Sequence, residues 1–485
     1  MNDLGYPPAD AAGLDALEAR LAHDLACLNH PPANWVPPTQ HPTHGRVLDV
    51  VVIGGGMCGL VASFALIHGG MSHLRIFDRS PKGFEGPWVT YARMETLRSP
   101  KQLTGPAYGL GALSFRAWYE ARFGTPAWEA LDKIPRPLWM DYLRWYRQVL
   151  RLPVENEVEV TRVSPEDGFL RLDLAGAGAK EPFVLTRKLV MATGREGMGQ
   201  PTIPPFVDGL ERGVDWMHSA DAFDFARLRD KRVVVVGVGA SAVDNAAEAL
   251  EAGASECRLL IRRKEMPRIN KMMGIGSFGF TAGFPTLDDA WRWRFMHYSF
   301  TTQTPAPRGS TLRVSRHANA FFHFDCGIAR ITRGEHGLVV ETVHDRRFLT
   351  DFVILGTGFT IEPDARPELA DVAGRIALWR DRYTPPPHEA HPDMASFPYL
   401  SGSFAFQPRE PGDLPWLQDV HCFNYGATIS LGKISGDIPA ISDGAAHLAK
   451  SLAADLYRAD IDRHWQTLQT YDKPELLGDE WTVAE

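Results

Sequence analysis

Two periodicities alternate along this chain. Short runs of β-branched and other apolar residues recur: "VLDVVVI" at 47–53, "HLRIF" at 73–77, "KLVMATG" at 188–194, "VVVV" at 233–236, "CRLLI" at 257–261 and "FVILGTG" at 352–358. Runs of this length with no polar alternation read as strands buried on both faces. After the first and the fourth of them the spacing changes to that of a helix, over residues 57–68 and from residue 240 onward. Strand followed by helix followed by strand predicts an α/β fold built on parallel sheets. A further amphipathic helix is predicted over 137–150, "PLWMDYLRWYRQVL", with Pro137 at its start.

The two strand-to-helix junctions carry the same punctuation. "VVIGGGMCGL" places Gly54, Gly56 and Gly59 at G-x-G-x-x-G spacing, and "VVVVGVGASAVDN" places Gly237, Gly239 and Ala242 at G-x-G-x-x-A. In this setting the small residues let the backbone approach a pyrophosphate, and the helix N-terminus meets its charge. Met57 and Cys58 open the first helix, Ala240 and Ser241 the second, so all four belong to the candidate binding loops. The units differ at the end of their second strand. The first ends in Asp78, with Arg79 beside it, where an acid binds a free ribose hydroxyl. The second ends in Arg262, Arg263 and Lys264, and arginine forks suit a 2′-phosphate. The first loop is therefore expected to hold an adenine dinucleotide lacking that phosphate, the second NADPH.

Two more glycine turns follow strands, at Thr193-Gly194 and at Gly358-Phe359. They read as the two places where the chain crosses between domains. The expected architecture is two Rossmann-like dinucleotide-binding domains, the first split by insertion of the second. Residues 1–46 form an N-terminal helix and proline-rich arm, too rich in proline for regular structure over 29–42. Residues 47–200 form the first segment of the FAD-binding domain. Residues 201–345 form the NADPH-binding domain with an aromatic insertion, and 346–485 return as the second FAD segment with a C-terminal helix. That last helix is expected to start near Gly436 or Asp437, with Pro439 in its first turn.

Composition removes several alternatives. The 485 residues carry 51 basic and 59 acidic side chains, a net charge of −8, which argues against a nucleic-acid partner. No apolar run is long enough to span a membrane, and no signal-peptide pattern opens the chain, so a cytoplasmic protein is expected. The five cysteines, Cys27, Cys58, Cys257, Cys326 and Cys422, include no C-x-x-C pair, so neither a disulfide framework nor an adjacent dithiol centre is expected. Cys58 reads as a small packing residue. His41 and His44 form an H-x-x-H inside the proline-rich arm, and no metal site is expected there.

At this point the sequence resembles the class B flavin-dependent monooxygenases, over about Val47 to Leu456. The resemblance is carried by "GGGMCGL", "EGPW" ending in Trp88, "TLRSPK" at Thr96 to Lys101, "MHSADAF", "GVGASAVD" and "LGTGF". It departs from the Baeyer–Villiger pattern around His218 and places Arg98 where many heteroatom-oxidising members have asparagine. "KIPRPLWMDYLRWYRQVL" looks like a stretch of the N-hydroxylases. The resemblance implies FAD as resident cofactor, NADPH as donor, dioxygen as co-substrate, and a flavin (hydro)peroxide as oxidant of a small molecule. It favours N-hydroxylation of an amine or amino acid, with Baeyer–Villiger or sulfur oxidation, or an NADPH oxidase or reductase, as alternatives. Arg98 is the candidate catalytic residue, close to the flavin ring. The insertion "GIGSFGFTAGFPTLDDAWRWRFMHYSF" offers Trp291, Trp293, Phe295, His297 and Tyr298 as pocket candidates. A homodimer is the expected assembly, if any.

Overall fold

The computed structural model describes residues 10–484. Both strand-and-glycine units form, each at the centre of its own sheet. In the first body the sheet runs, in spatial order, Val154–Asn156, Leu74–Asp78, Gly45–Ile53, Phe183–Met191, Phe169–Ala175, Glu159–Glu166. The first four strands are mutually parallel, and the last two add an antiparallel meander that the sequence reading did not anticipate. Thr39–His41 pairs antiparallel with Gly45–Ile53, so the proline-rich arm does contain a short strand. Pro37, Pro38 and Pro42 flank it without interrupting it.

The second sheet is wholly parallel, in the order Ala320–His323, Glu256–Leu260, Arg232–Val236, Phe352–Leu355, Trp216–His218. Its central strand explains the run of valines. Val233 and Val235 pack with Ala242, Ala246 and Leu250 of the helix Ala240–Glu251, while Val234 packs with Ile331, Leu338 and Val340 of a separate antiparallel sheet. Burial on both faces removes any polar alternation.

This topology moves one boundary. Phe352–Leu355 lies inside the second sheet, hydrogen-bonded on both sides, so the return to the first body follows Gly358 rather than residue 346. The three-stranded sheet Ile328–Gly334, Gly337–Thr342, Arg347–Thr350 precedes that strand and lines the same core.

The aromatic insertion crosses back to the first body. In the helix Asp289–Thr302, Trp293 is buried against Trp379 and Tyr383, with ring centroids 5.8 and 5.7 Å away, and donates to the Glu389 carbonyl at 2.9 Å. Trp293 is thus core rather than pocket lining. Trp291 and Tyr298 face solvent, Phe295 packs with Phe280 and Phe284, and His297 meets His391.

The N-terminal helix Ala11–Cys27 buries Leu17 and Leu21 and lies across Phe115–Phe123, with Trp145 donating to Glu18 at 2.9 Å. Near the other end, a 3₁₀ turn at Ile438–Ala440 follows Asp437 and leads into the helix Ile441–Ala459. A second C-terminal helix, Ile461–Thr470, continues beyond it. No helix among the described residues is long and apolar enough to cross a membrane.

Candidate active site: two glycine loops and the cleft between them

The first loop separates the work of its glycines. Gly54 has φ +104°, and a Cβ there would lie 2.5 Å from the Ala192 carbonyl. A Cβ on Gly59 would lie 1.8 Å from the Gly54 carbonyl. These two make the turn possible at all. Gly56 is different, since its nearest neighbour would be Gly86, 3.8 Å away. The space beside Gly56 is a cradle that the protein itself leaves open, as a bound pyrophosphate requires.

Around this cradle the remaining candidates fall into place. Asp78 ends its strand buried, accepting from Gly55 N–H at 2.6 Å and Ser80 N–H at 2.7 Å. Its carboxylate thus shapes the loop and keeps lone pairs for a ribose hydroxyl. Arg79 is exposed and sits 3.6 Å from Glu196. Trp88 packs edge-on against Trp139 and lends its carbonyl to the Arg136 guanidinium. Met57 and Cys58 are both buried at the helix start. Burial, with the nearby Asp437 carboxylate adding to it, pushes the Cys58 thiol up to about 12. A thiol held protonated is no nucleophile, which fits its reading as packing.

Thr193 and Gly194 follow the parallel neighbour strand. Asn424, buried and 231 residues away, donates to Thr193 Oγ1 at 3.0 Å and to the Met191 carbonyl at 3.2 Å. Tyr425 N–H reaches the Gly194 carbonyl at 3.3 Å. Asn424 therefore fastens the last segment to the glycine turn. Nothing in its sequence surroundings marks it.

The second loop repeats the plan. Gly237 has φ +106°, and Gly239 faces space whose nearest occupant is Gln303 Nε2, 4.0 Å from a built Cβ. Ala242 lies so close to Gly356 that a Cβ on the glycine would be 2.4 Å from the alanine methyl. Ala240 and Ser241 form the first turn of the helix. Gly358, at φ +80°, accepts from His218 Nε2 at 3.0 Å and Thr202 N–H at 2.9 Å, and Phe359 stands edge-on to His218. His218 is thereby satisfied within the fold. Arg262 and Arg263 are exposed beyond the strand Glu256–Leu260, and Arg263 donates through both terminal nitrogens to the Thr301 carbonyl at 3.3 Å.

Arg98 lies where the two bodies meet. Its Nη1 donates to the Pro305 carbonyl at 2.8 Å. The side chain is exposed, and desolvation by the surrounding protein lowers its pKa while Asp244 and Asp437 oppose that shift. Asp244 belongs to the helix of the second loop, and Asp437 is also the carboxylate felt by Cys58 at the first. One arginine thus shares a neighbourhood with both loops. The same junction is tied by Arg313, missed in the sequence, whose buried guanidinium bonds Glu248, Glu251 and the Arg93 carbonyl.

Known proteins resemble this chain over most of its length. A sequence family described as pyridine nucleotide-disulphide oxidoreductase matches residues 51–274. The FAD-dependent urate hydroxylase of Xanthomonas campestris pv. campestris is 39% identical over 468 residues, covering 96% of this chain and 98% of that one. Among solved structures, ornithine hydroxylase from Pseudomonas aeruginosa superposes with a TM-score of 0.64 at 17% identity, over 84% of this chain and 100% of that chain. L-lysine 6-monooxygenase from Pseudomonas syringae gives 0.62 at 18%, over 85% and 99%. The structures share the fold, and the urate hydroxylase shares the sequence nearly end to end. With both glycine loops formed, this chain belongs to the class B flavin-dependent monooxygenases.

Proposed function

We propose that this enzyme hydroxylates an oxidised purine, urate or a close analogue, with FAD resident at the first loop and NADPH as electron donor at the second. The observation that carries the substrate class is the end-to-end relationship, 39% identity across 96% of the chain, with a urate hydroxylase. The overall reaction takes one dioxygen, one reduced nicotinamide and one proton, and returns hydroxylated product, oxidised nicotinamide and water. Reduced FAD supplies the activation of dioxygen.

The chain's own part is binding, orientation and exclusion of water. Gly56 and the start of the helix Met57–His68 take the FAD pyrophosphate, and Asp78 takes the ribose. Gly239 and the helix start at Ala240 take the second pyrophosphate, and Arg262 and Arg263 the 2′-phosphate. Arg98, at the meeting of the two bodies, presents a planar cation to an electron-rich ring or to negative charge developing during oxygen transfer. An anionic heterocycle rich in carbonyl oxygens suits that guanidinium, whereas an amine substrate would call for a carboxylate in its place.

N-hydroxylation of an amine or amino acid is the second reading. It draws on "KIPRPLWMDYLRWYRQVL" and on the fold shared with ornithine and lysine hydroxylases at 16–18% identity. One assay separates the readings. Purified enzyme is given urate, ornithine, lysine or cadaverine, and reduced nicotinamide consumption is read against product mass and hydrogen peroxide. Urate-dependent consumption with a product heavier by one oxygen supports the proposal. Product from the amines alone overturns it in favour of N-hydroxylation, and peroxide without product from any of them identifies an oxidase.

A further inference from the structure

His41 and His44, an H-x-x-H pattern without other ligands in sequence, meet carboxylates from a distant hairpin. The tight turn joining Thr39–His41 to Gly45–Ile53 brings the two rings to a centroid distance of 4.7 Å. Beside them, the hairpin of Glu159–Glu166 and Phe169–Ala175 turns at Asp167 and Gly168, with Glu166 the last paired residue before the turn. His44 Nε2 lies 3.1 Å from Glu166 Oε1, and His41 Nε2 lies 3.2 Å from Asp167 Oδ2. Ligand atoms of His41, His44 and Glu166 all fall within 4.8 Å of one another.

We propose that His41, His44 and Glu166 bind a Zn²⁺ ion, with water completing a tetrahedral set. Two imidazoles and a carboxylate form a ligand set that zinc favours. The surroundings hold these groups as an outer shell would. Phe183 stands edge-on to His44 at 5.1 Å, and Phe169 to His41 at 6.1 Å. Arg171, stacked 3.7 Å over Phe183, holds Glu166 Oε2 at 2.9 Å and leaves Oε1 for the metal. His41 is almost wholly buried, so its ring has little freedom to turn away.

The protons also have places to go. Thr43 and His44 N–H groups donate to His41 Nδ1 at 3.2 and 3.3 Å, which puts the imidazole proton on Nε2 when no metal is bound. Zinc at Nε2 takes that position. The proton moves to Nδ1, where Thr43 Oγ1 at 3.2 Å accepts from it, and the backbone donors relax.

The site stands at the Gly45 end of a strand whose other end is Ile53, next to the flavin loop. At about 3.3 Å per residue that separates the two by roughly 25–30 Å. The metal therefore fastens the N-terminal arm to the outer hairpin and takes no part in oxidation.

The test is calorimetric titration of ZnCl₂ into tag-free, chelator-treated, full-length holoprotein carrying Cys27→Ser. That background removes an exposed thiol lying 3.5 Å from His23 Nε2. One Zn²⁺ per chain is expected, with the melting temperature raised by the ion. His44→Ala and Glu166→Gln should each weaken binding about tenfold or more while flavin content and circular dichroism stay as in the parent. His68→Ala, which disrupts the separate His30–His68 contact, should leave zinc binding unchanged. Co²⁺ in place of Zn²⁺ should give the visible absorption of tetrahedral cobalt, lost in His44→Ala. Absence of stoichiometric binding, or equal binding in the parent, His44→Ala and Glu166→Gln, would falsify the site, whatever substrate the enzyme oxidises.

Discussion

The guanidinium of Arg98 donates to the carbonyl of Pro305 across 2.8 Å, joining residues 207 positions apart at the seam between the two nucleotide-binding bodies. Arg98 sits on the "TLRSPK" segment, and Pro305 follows the helix that crosses back from the inserted domain. One guanidinium nitrogen is thereby tied to the inserted domain. As the candidate catalytic residue, Arg98 would act as a donor already held in place when charge develops.

Replacing Arg98 by Ala should leave FAD bound, since no loop contact is lost, and lower substrate hydroxylation by roughly 10²-fold, the usual effect of removing one such donor. Reduced nicotinamide would still be consumed, now yielding hydrogen peroxide. Arg98→Lys keeps the charge without the planar fork and should fall between. The measurement is product formed per nicotinamide oxidised. An unchanged ratio in Arg98→Ala removes this residue from the reaction centre.

The glycines of the first loop should separate in their effects. A Cβ on Gly59 would sit 1.8 Å from the Gly54 carbonyl, so Gly59→Val should give little folded protein. A Cβ on Gly56 meets only Gly86, at an ordinary contact distance of 3.8 Å, so Gly56→Ala should fold, and Gly56→Val should fold and yet exclude the pyrophosphate. Circular dichroism like that of the parent, with a flavin-to-protein ratio near zero, is the expected result. A yellow Gly56→Val protein would place FAD elsewhere.

How much of this could be read from the residues follows from where each partner lies. The glycine loops, Asp78 and the arginines after Ile261 are local devices, each explained by a strand, a turn and a helix adjacent in sequence. The meander of Glu159–Glu166 and Phe169–Ala175 escaped because its strands are amphipathic and short of turn punctuation apart from Asp167-Gly168. Asn424 and Arg313 escaped for a different reason. Asn424 finds Thr193 231 residues away, and Arg313 finds Arg93 220 residues away. Trp293 is a pocket candidate in sequence because it lies in an aromatic- and glycine-rich insertion that interrupts the second nucleotide domain, whereas Trp379 and Tyr383 arrive from beyond the second sheet to cover it.

Asp49 gives a prediction in pH. It lies in the central strand, 1% exposed. Burial raises its pKa to about 6, against the charge of Arg187, a side-chain hydrogen bond with Asn34 and the charge of Arg46, with Asp460 adding to the rise. His73 Nδ1 stands 3.9 Å from it, its own pKa lowered by burial and by Arg46. The folded state then holds a proton that the unfolded chain releases near pH 4. Stability from this group is full below that pH and is lost as pH rises through about 6. Asp49→Asn should raise unfolding free energy at pH 7 by about 2–3 kcal/mol and change little at pH 4. Denaturant titrations at the two pH values check it; equal effects at both would mean that Asp49 is not protonated in the fold.

The choice of nicotinamide rests on Arg262 and Arg263, and their surroundings differ. Both are exposed at the end of the strand Glu256–Leu260, where the second ribose is expected. Arg263 divides its guanidinium between solvent and the Thr301 carbonyl, at 3.3 Å from each terminal nitrogen. Turning to a phosphate would cost it that contact with the crossing helix. Arg262 makes no such commitment to Thr301, so it should carry more of the preference. A charge-assisted hydrogen bond contributes about 1.5–3 kcal/mol, and 1.4 kcal/mol is a factor of about ten. Arg262→Ala should therefore lower NADPH efficiency about tenfold or more and leave NADH nearly unchanged, with Arg263→Ala producing a smaller shift. The ratio of kcat/KM for the two donors, in parent and variants, measures this directly. Equal use of both donors by the parent would mean that these arginines clamp no phosphate, and an Arg263→Ala effect exceeding that of Arg262→Ala would reverse their roles.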